Sequence, residues 1–184
     1  RRLRSAATCL ASRVTLEAPS ELPPVVHSQW WHPRFDADPA HQWLREHVRE
    51  AIGYLPESTP LYTEMLVLEY LEFVGKMRGL SGGGLHARLR RVVEETSLGD
   101  VIGKSIGELS KGFRQRVGLA QALIHEPPVL ILDEPMSGLD PNQASEIREL
   151  IREIGRERTV ILSTHNLAEV RLTCGRVLII SKGE

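Results

Sequence analysis

The sequence predicts an α/β fold with a parallel sheet and a helical subdomain, and two observations lead to this fold class. Short apolar strands alternate with amphipathic helices in the second half of the chain, which is the element order of layered β/α proteins. The strands are continuous apolar runs, as expected for parallel strands that are covered on both faces. The predicted strands are residues 129–132, 159–162 and 177–180.

Residues 1–50 differ in composition from the rest of the chain. They hold five of the 11 prolines and all three tryptophans, and residues 1–52 contain neither glycine nor lysine. The prolines interrupt every window long enough for a helix until about Ala40. We therefore expect irregular structure over residues 1–50, in a segment that is degenerate or not native to the protein.

The middle of the chain predicts a helical subdomain at about residues 63–125. Residues 51–55 are a short apolar segment that Pro56 ends. Apolar residues at helical spacing follow at 67–74 and at 85–96. Residues 82–84 are three glycines, and we interpret them as a hinge or linker because no lysine and no strand accompany them.

About residues 126–184 supply the predicted core strands and helices, and the alternation of helices with strands is visible from residue 107 onward. Two apolar stripes predict helices that cover the sheet, one before and one after the strand at 129–132. The stripes are Phe113, Val117, Ala120 and Ile124, and Ile147, Leu150, Ile151 and Ile154. Asp140 followed by Pro141 predicts a helix start, since the carboxylate accepts backbone N–H groups and proline suits the first helical position.

Three polar side chains follow the predicted strands at the edge where open α/β sheets bind ligands. Asp133 and Glu134 come after the strand at 129–132, and His165 follows the strand at 159–162. Together they predict a nucleotide site. The alternatives are an acidic turn after a strand for the carboxylates and a structural or exposed side chain for the histidine.

Composition excludes several other classes of protein. A net charge of -1 with 26% charged residues gives no basic surface for nucleic acid. Cys9 and Cys174 are too few and too isolated for a disulfide framework or a zinc site. No apolar run reaches the roughly 20 residues needed to cross a bilayer, so we expect a cytoplasmic chain whose membrane role comes from a partner.

Four motifs in this order and at this spacing resemble those of the ATP-binding cassette (ABC) ATPases. They are residues 107–117, 129–135, 137–140 and 163–165. The resemblance covers about residues 51–184 and implies ATP and Mg²⁺ as cofactors, with a parallel sheet core like that of the phosphate-loop NTPases. Residues 52–57 and 60–62 are similar to the cassettes of bacterial multidrug, sodium and gliding-type exporters.

The resemblance implies roles for the residues at the sheet edge. Asp133 would hold Mg²⁺ through water, Glu134 would polarise the attacking water, and His165 would contact the γ-phosphate. Glu57 stands where the family usually has the glutamine that meets Mg²⁺, and a carboxylate still reaches Mg²⁺ through water.

The resemblance also implies a second subunit in a head-to-tail dimer. Leu109, Ser110, Lys111 and Gly112 stand at the signature motif, which faces the nucleotide of the other subunit, and Asp140 ends the loop that couples the two sites. Lys111 stands where the commonest signature has glycine. We expect this change to be tolerated, because backbone amides at a helix N-terminus bind the phosphates.

One departure from the family is severe. The family's phosphate loop lies about forty residues before the position of Glu57. In this sequence the loop would therefore fall in residues 11–20. Without glycine or lysine this stretch has no cradle for a β-phosphate. We expect a cassette fold that is incomplete at the N-terminus, and we hypothesise that residues 1 to about 35 are translated from a shifted reading frame.

Three functions follow from these observations. The first is the ATP-binding subunit of an ABC-type membrane transporter, which couples ATP hydrolysis to export through a permease and is peripheral to the inner face of the cell membrane. As written, the chain alone would hydrolyse ATP slowly or not at all. The second is a catalytically inactive cassette that serves as a dimerisation or regulatory module. The third, a soluble cassette ATPase of translation or DNA repair, ranks lowest because those proteins usually carry two cassettes or an inserted coiled coil.

Overall fold

The computed structural model describes residues 33–179 of the chain. The chain divides into two units, Arg1–Glu50 and Ala51–Glu184. The irregular structure predicted for residues 1–32 and the end of the predicted strand at Ile180 lie outside the described residues.

In the first unit the described residues form a 3-10 turn, Pro33–Phe35, and a helix, α1, Pro39–Ala51. Asp38 accepts a hydrogen bond from His41 N at 2.9 Å, and Arg45 Nη1 donates to Phe35 O at 3.2 Å. The prediction of irregular structure therefore fails for residues 39–50. Pro39 occupies the first helical position, where its missing N–H costs nothing, and no other proline follows before Pro56.

The second unit contains a three-stranded parallel sheet in the order β1-β2-β3. The strands are β1 Ile52–Leu55, β2 Val129–Asp133 and β3 Thr159–Ser163. The prediction of a strand at 177–180 is wrong, because residues 177–179 have no regular structure and are 57% to 85% exposed. An apolar run forms a strand only beside a strand that accepts its hydrogen bonds, and none does so within residues 33–179.

Three helices form the subdomain between β1 and β2, namely α2 Val67–Met77, α3 Gly82–Glu95 and α4 Lys111–Leu123. The interpretation of residues 82–84 as a linker is wrong, because they form the first turn of α3. Gly82 adopts a positive φ of 54°, which glycine takes without steric cost, so a glycine suits the start of α3. Arg88 joins α3 to the end of α4 by donating to Ile124 O at 3.1 Å and Leu123 O at 3.3 Å.

Two further helices follow the strands, α5 Pro141–Glu157 and α6 Leu167–Thr173. The predicted stripe of α5 is confirmed, since Ile147, Leu150, Ile151 and Ile154 are all buried. The opposite face of the sheet is more open, with Tyr54 41% and Ile161 52% exposed. Among the described helices none is both long and apolar enough to cross a bilayer.

Gly53, the first glycine in the sequence, allows β1 to approach α4 closely. A Cβ placed at Gly53 would lie 2.8 Å from Pro127 Cγ and 2.9 Å from Leu130 Cδ1, and it would overlap the carbonyl oxygen of Ala122. Glycine is therefore required where β1 passes the end of α4 and the start of β2.

Candidate functional site

The carboxyl ends of β2 and β3 bring the predicted polar residues to one edge of the sheet. Asp133 is the last residue of β2 and pairs in register with Ser163, the last residue of β3. Ser163 Oγ donates a hydrogen bond to Asp133 Oδ1 at 2.8 Å. The carboxylate of Asp133 is thus held at the edge where ligands bind in open α/β sheets.

Glu134 turns toward β3 because its backbone adopts a positive φ of 46°. Its backbone N–H donates to Ser163 O at 2.9 Å. Its carboxylate accepts hydrogen bonds from the backbone N–H of His165 at 2.8 Å and from Thr164 Oγ1 at 3.2 Å. A left-handed conformation is strained for a glutamate, and strain of this kind is common where a side chain must be aimed at a site.

The imidazole of His165 completes the cluster, with Nδ1 2.6 Å from Glu134 Oε1. The structure thus places Asp133, Glu134 and His165 together, as the spacing of the two strands predicts. Their chemical roles remain predictions.

The contact between Glu134 and His165 shifts both pKa values. Partial burial opposes ionisation of Glu134, but the hydrogen bonds from His165 and Thr164 outweigh it and lower the pKa of the carboxyl. The hydrogen bond to Glu134 raises the pKa of His165, and the charges of Glu134, Glu169 and Glu57 act in the same direction. Glu57 therefore lies within electrostatic reach of the cluster.

The signature turn, defined as Ser110, Lys111 and Gly112, lies at the N-terminus of α4. Ser110 is the N-cap, and its hydroxyl accepts Phe113 N at 3.3 Å. Leu109 before it is buried, and its carbonyl accepts Arg114 Nη1 at 2.7 Å. No acidic residue stands in the first turn of α4, so the positive end of the helix dipole is uncompensated there.

The coupling loop, defined as residues 137–140, ends at the N-cap of α5. Asp140 Oδ1 accepts the backbone N–H groups of Asn142 and Gln143, each at 3.0 Å, which confirms the predicted helix start. Gly138 has a positive φ of 64°, and the amine of Lys111 lies over it. The coupling loop and the signature turn are therefore neighbours.

A cleft of about 360 Å³ lies between the segment after β1 and the first turns of α4. Glu57 and Lys111, two of the predicted site residues, line the same cleft. Its other lining residues are Ser58, Thr59, Leu61, Thr63, Arg114 and Gln115.

The donor set fits Mg²⁺ bound to a nucleotide better than a metal held by protein alone. Among residues 33–179 no group of three or more His, Cys, Asp or Glu side chains is arranged to hold a metal ion. Mg²⁺ usually takes one or two carboxylates together with substrate phosphates and waters, and Asp133 supplies one carboxylate. The phosphates fit less well, because residues 1–52 contain no glycine or lysine from which to build a cradle.

Sequence reasoning missed two kinds of residue. Ser163 and Thr164 lie in the motif at residues 163–165, in which only His165 has a predicted role, although the signal was a pair of hydroxyl residues directly before it. Gln143, which packs on the signature turn, gave no signal, because its contact with Gly112 joins two helices that are distant in the sequence.

Comparison with known proteins places more than half of the chain in one family. Residues 32–137 match the sequence profile of the family described as ABC transporter. The chain is 40% identical over 136 residues to the uncharacterized ABC transporter ATP-binding protein YxlF of Bacillus subtilis, covering 74% of this chain and 46% of that protein.

Two other relatives show a similar overlap. The chain is 36% identical over 139 residues to the ABC transporter ATP-binding protein NatA of Bacillus subtilis, covering 74% of this chain and 56% of the relative. It is 34% identical over 138 residues to the Nod factor export ATP-binding protein I of Burkholderia lata, covering 74% and 45%. The chain spans about half the length of these curated relatives.

Proposed function

The chain belongs to the ABC transporter family, and from this premise we propose that it is an ATP-binding subunit of an ABC-type transporter, whose role of coupling ATP binding and hydrolysis to export through a partner permease is impaired here because residues 1–52 hold no glycine or lysine for a phosphate cradle. The observation that carries the proposal is the cluster at the sheet edge, where Glu134 accepts hydrogen bonds from His165 and lies beside Asp133. Export is supported by one relative, which is named as a Nod factor export protein.

The residues at the sheet edge divide the chemistry between them. Asp133, which accepts a hydrogen bond from Ser163, would accept another from a water bound to Mg²⁺. The ion, when bound, would neutralise charge on the phosphates. Glu134 has a lowered pKa and stays ionised at neutral pH, so it acts as an acceptor for a proton of the attacking water. His165 orients the Glu134 carboxylate and presents a second donor at the same edge.

The signature turn would act on a second subunit. Its helix N-terminus and the Lys111 amine give an uncompensated positive end, which suits a phosphate held by a head-to-tail partner. The division of the two groups between two nucleotides is what the resemblance to the family implies, and we propose it for this chain.

The permease is the partner that this function requires, and it places the chain at the inner face of the membrane. The test is co-expression of the tagged chain with a candidate ABC permease, followed by separation of the membranes. The chain is expected in the membrane pellet only when the permease is present. The same distribution with and without the permease would contradict the proposal.

A second function is favoured by a specific observation. The signature turn is fully formed, whereas residues 1–52 offer no glycine or lysine for a phosphate cradle. The chain would then be an inactive module that completes the site of an intact subunit. Mixing it with a cassette subunit whose own signature serine is replaced should restore ATP hydrolysis, and Ser110→Ala should abolish that rescue. An equal rate with either chain would contradict this function.

We also propose that residues 1 to about 35 come from a shifted reading frame. The family match begins at residue 32, close to the end of this segment, and this supports the proposal. Reading the nucleotide sequence in the other two frames tests it. A run of the form Gly-x-x-x-x-Gly-Lys-Ser/Thr in either frame is expected, and its absence from both would contradict the proposal.

A further inference from the structure

We propose that Arg116 and Gln143 are positioning residues that fasten the signature turn to the coupling loop, so that both face a partner subunit as one rigid surface. The identity of that partner rests on the proposed function. The fastening itself is a property of this chain and is measurable without nucleotide.

The first contact joins Gly112 to Gln143. Gly112 is buried, and a Cβ placed on it would lie 2.9 Å from Gln143 Oε1, 3.0 Å from Cδ and 3.2 Å from Cγ. The Gln143 side chain therefore fills the space that any other residue at position 112 would need. Because Asp140 also holds the backbone N–H of Gln143 at 3.0 Å, this side chain is tied to the coupling loop at its base.

The second contact joins Lys111 to Gly138. The amine of Lys111 lies where a Cβ of residue 138 would stand, and Gly138 adopts a positive φ of 64°. Two features of glycine are used at once here, the left-handed backbone and the absent side chain. The apex of the coupling loop is thus covered by the first residue of α4.

The third contact is an ion pair one turn further along both helices. Arg116 follows Gly112 by four residues, and Glu146 follows Gln143 by three, so each pair shares a helix face. Arg116 Nη2 lies 2.8 Å from Glu146 Oε2, and Arg116 Nη1 donates to Thr96 O at 3.2 Å. The Arg116 side chain is only 13% exposed, which holds the guanidinium in this geometry.

These contacts form a continuous seam from the two loops into the bodies of α4 and α5. A movement of the coupling loop alone would break the packing of Gln143 on Gly112 and the contact of the Lys111 amine with Gly138 at the same time. We therefore infer that the two loops open and close in a single cooperative step. A partner that displaces one loop must displace the other.

Hydrogen exchange of the full chain tests the seam. The reporters are the backbone N–H groups of Phe113 and Asn142, each bonded to the cap residue of its helix. Combining Arg116→Ala with Gln143→Ala is expected to speed exchange at both reporters by about tenfold, because interactions of this kind shift local opening by about one order of magnitude. Amides of β2 and β3 should keep their rates.

Two controls separate positioning from general stability. Arg152→Ala removes an exposed arginine from the same helix, whose pair with Glu149 stays within α5, and should leave both reporters unchanged. Gln143→Glu keeps the shape that packs on Gly112 and should retain the rate of the unmodified chain. Faster exchange at one reporter alone, at neither, or equally throughout β2 and β3 would overturn the proposal. Nucleotide binding plays no part in any of these outcomes.

Discussion

Replacing Gly53 by alanine should destabilise the fold by about 2 kcal/mol. The new Cβ would meet Pro127 Cγ at 2.8 Å and Leu130 Cδ1 at 2.9 Å, and it would overlap the backbone oxygen of Ala122. Overpacking in a core costs about 1–3 kcal/mol, and a backbone neighbour that does not rotate away places Gly53 at the upper end. About 0.5–1 kcal/mol is returned, because alanine has less freedom than glycine in the unfolded chain.

Gly83→Ala is the matched control and should act in the opposite direction. Gly83 lies in the first turn of α3, and nothing stands within 4 Å of its Cβ position. Alanine at a helical position without a clash should stabilise by about 0.5–1 kcal/mol. Urea unfolding of the three proteins, followed by circular dichroism, measures both free energies. A Gly53→Ala variant as stable as the parent would refute the close packing of β1 on α4.

Three further predictions concern ionisation and capping. In Glu134→Gln the pKa of His165 should fall toward its ordinary value, as read by NMR titration, because Glu134 raises it. The stability that the contact between His165 and Glu134 contributes is fully present below the pKa of histidine in the unfolded chain. It is lost as pH rises through the raised pKa of His165 in the folded chain. Burial and the nearby Arg78 lower the pKa of His125 to about 4. The free energy of unfolding of the parent protein, measured in urea relative to that of His125→Gln, should therefore fall as pH falls from 6.5 to 4. Asp140→Ala should lower the free energy of unfolding by about 1 kcal/mol and Asp140→Asn by much less, since asparagine still caps α5; equal losses would contradict a hydrogen-bonded cap.

The sequence predicts those elements whose local pattern and tertiary environment agree. Leu130 and Leu132 of β2 and the 3.6-residue stripe of α5 are buried, so pattern and packing give the same answer there, whereas Val129 and Ile131 are only half-buried. Residues 177–179 are equally apolar, but no described strand pairs with them, and strand formation depends on that partner. The composition of residues 82–84 suggests a linker, but Gly82 uses a positive φ of 54° to begin α3, and no local pattern shows that backbone conformation.

The candidate site is predictable to the same extent. Strand ends in a parallel sheet meet at one edge, so the proximity of Asp133 and His165 follows from the spacing of β2 and β3. The direct bond between His165 and Glu134 does not follow, because it requires the positive φ of Glu134. The packing of Gln143 on Gly112 is invisible to any local pattern, since it depends on how α4 and α5 lie against each other.

The measurement that tests the central claim most directly is calorimetric titration of the purified chain with Mg-ATP, with Asp133→Asn as the control. The claim is that the chain carries the sheet-edge carboxylates and the signature turn of an ABC site but no phosphate cradle. It predicts no heat that depends on Asp133 at nucleotide concentrations up to about 1 mM. Any binding would then be weaker than a dissociation constant of about 1 mM, which corresponds to a binding free energy of only about -4 kcal/mol. Micromolar binding that is lost in Asp133→Asn would contradict the claim, since residues 1–52 would then have to build a phosphate site without glycine or lysine.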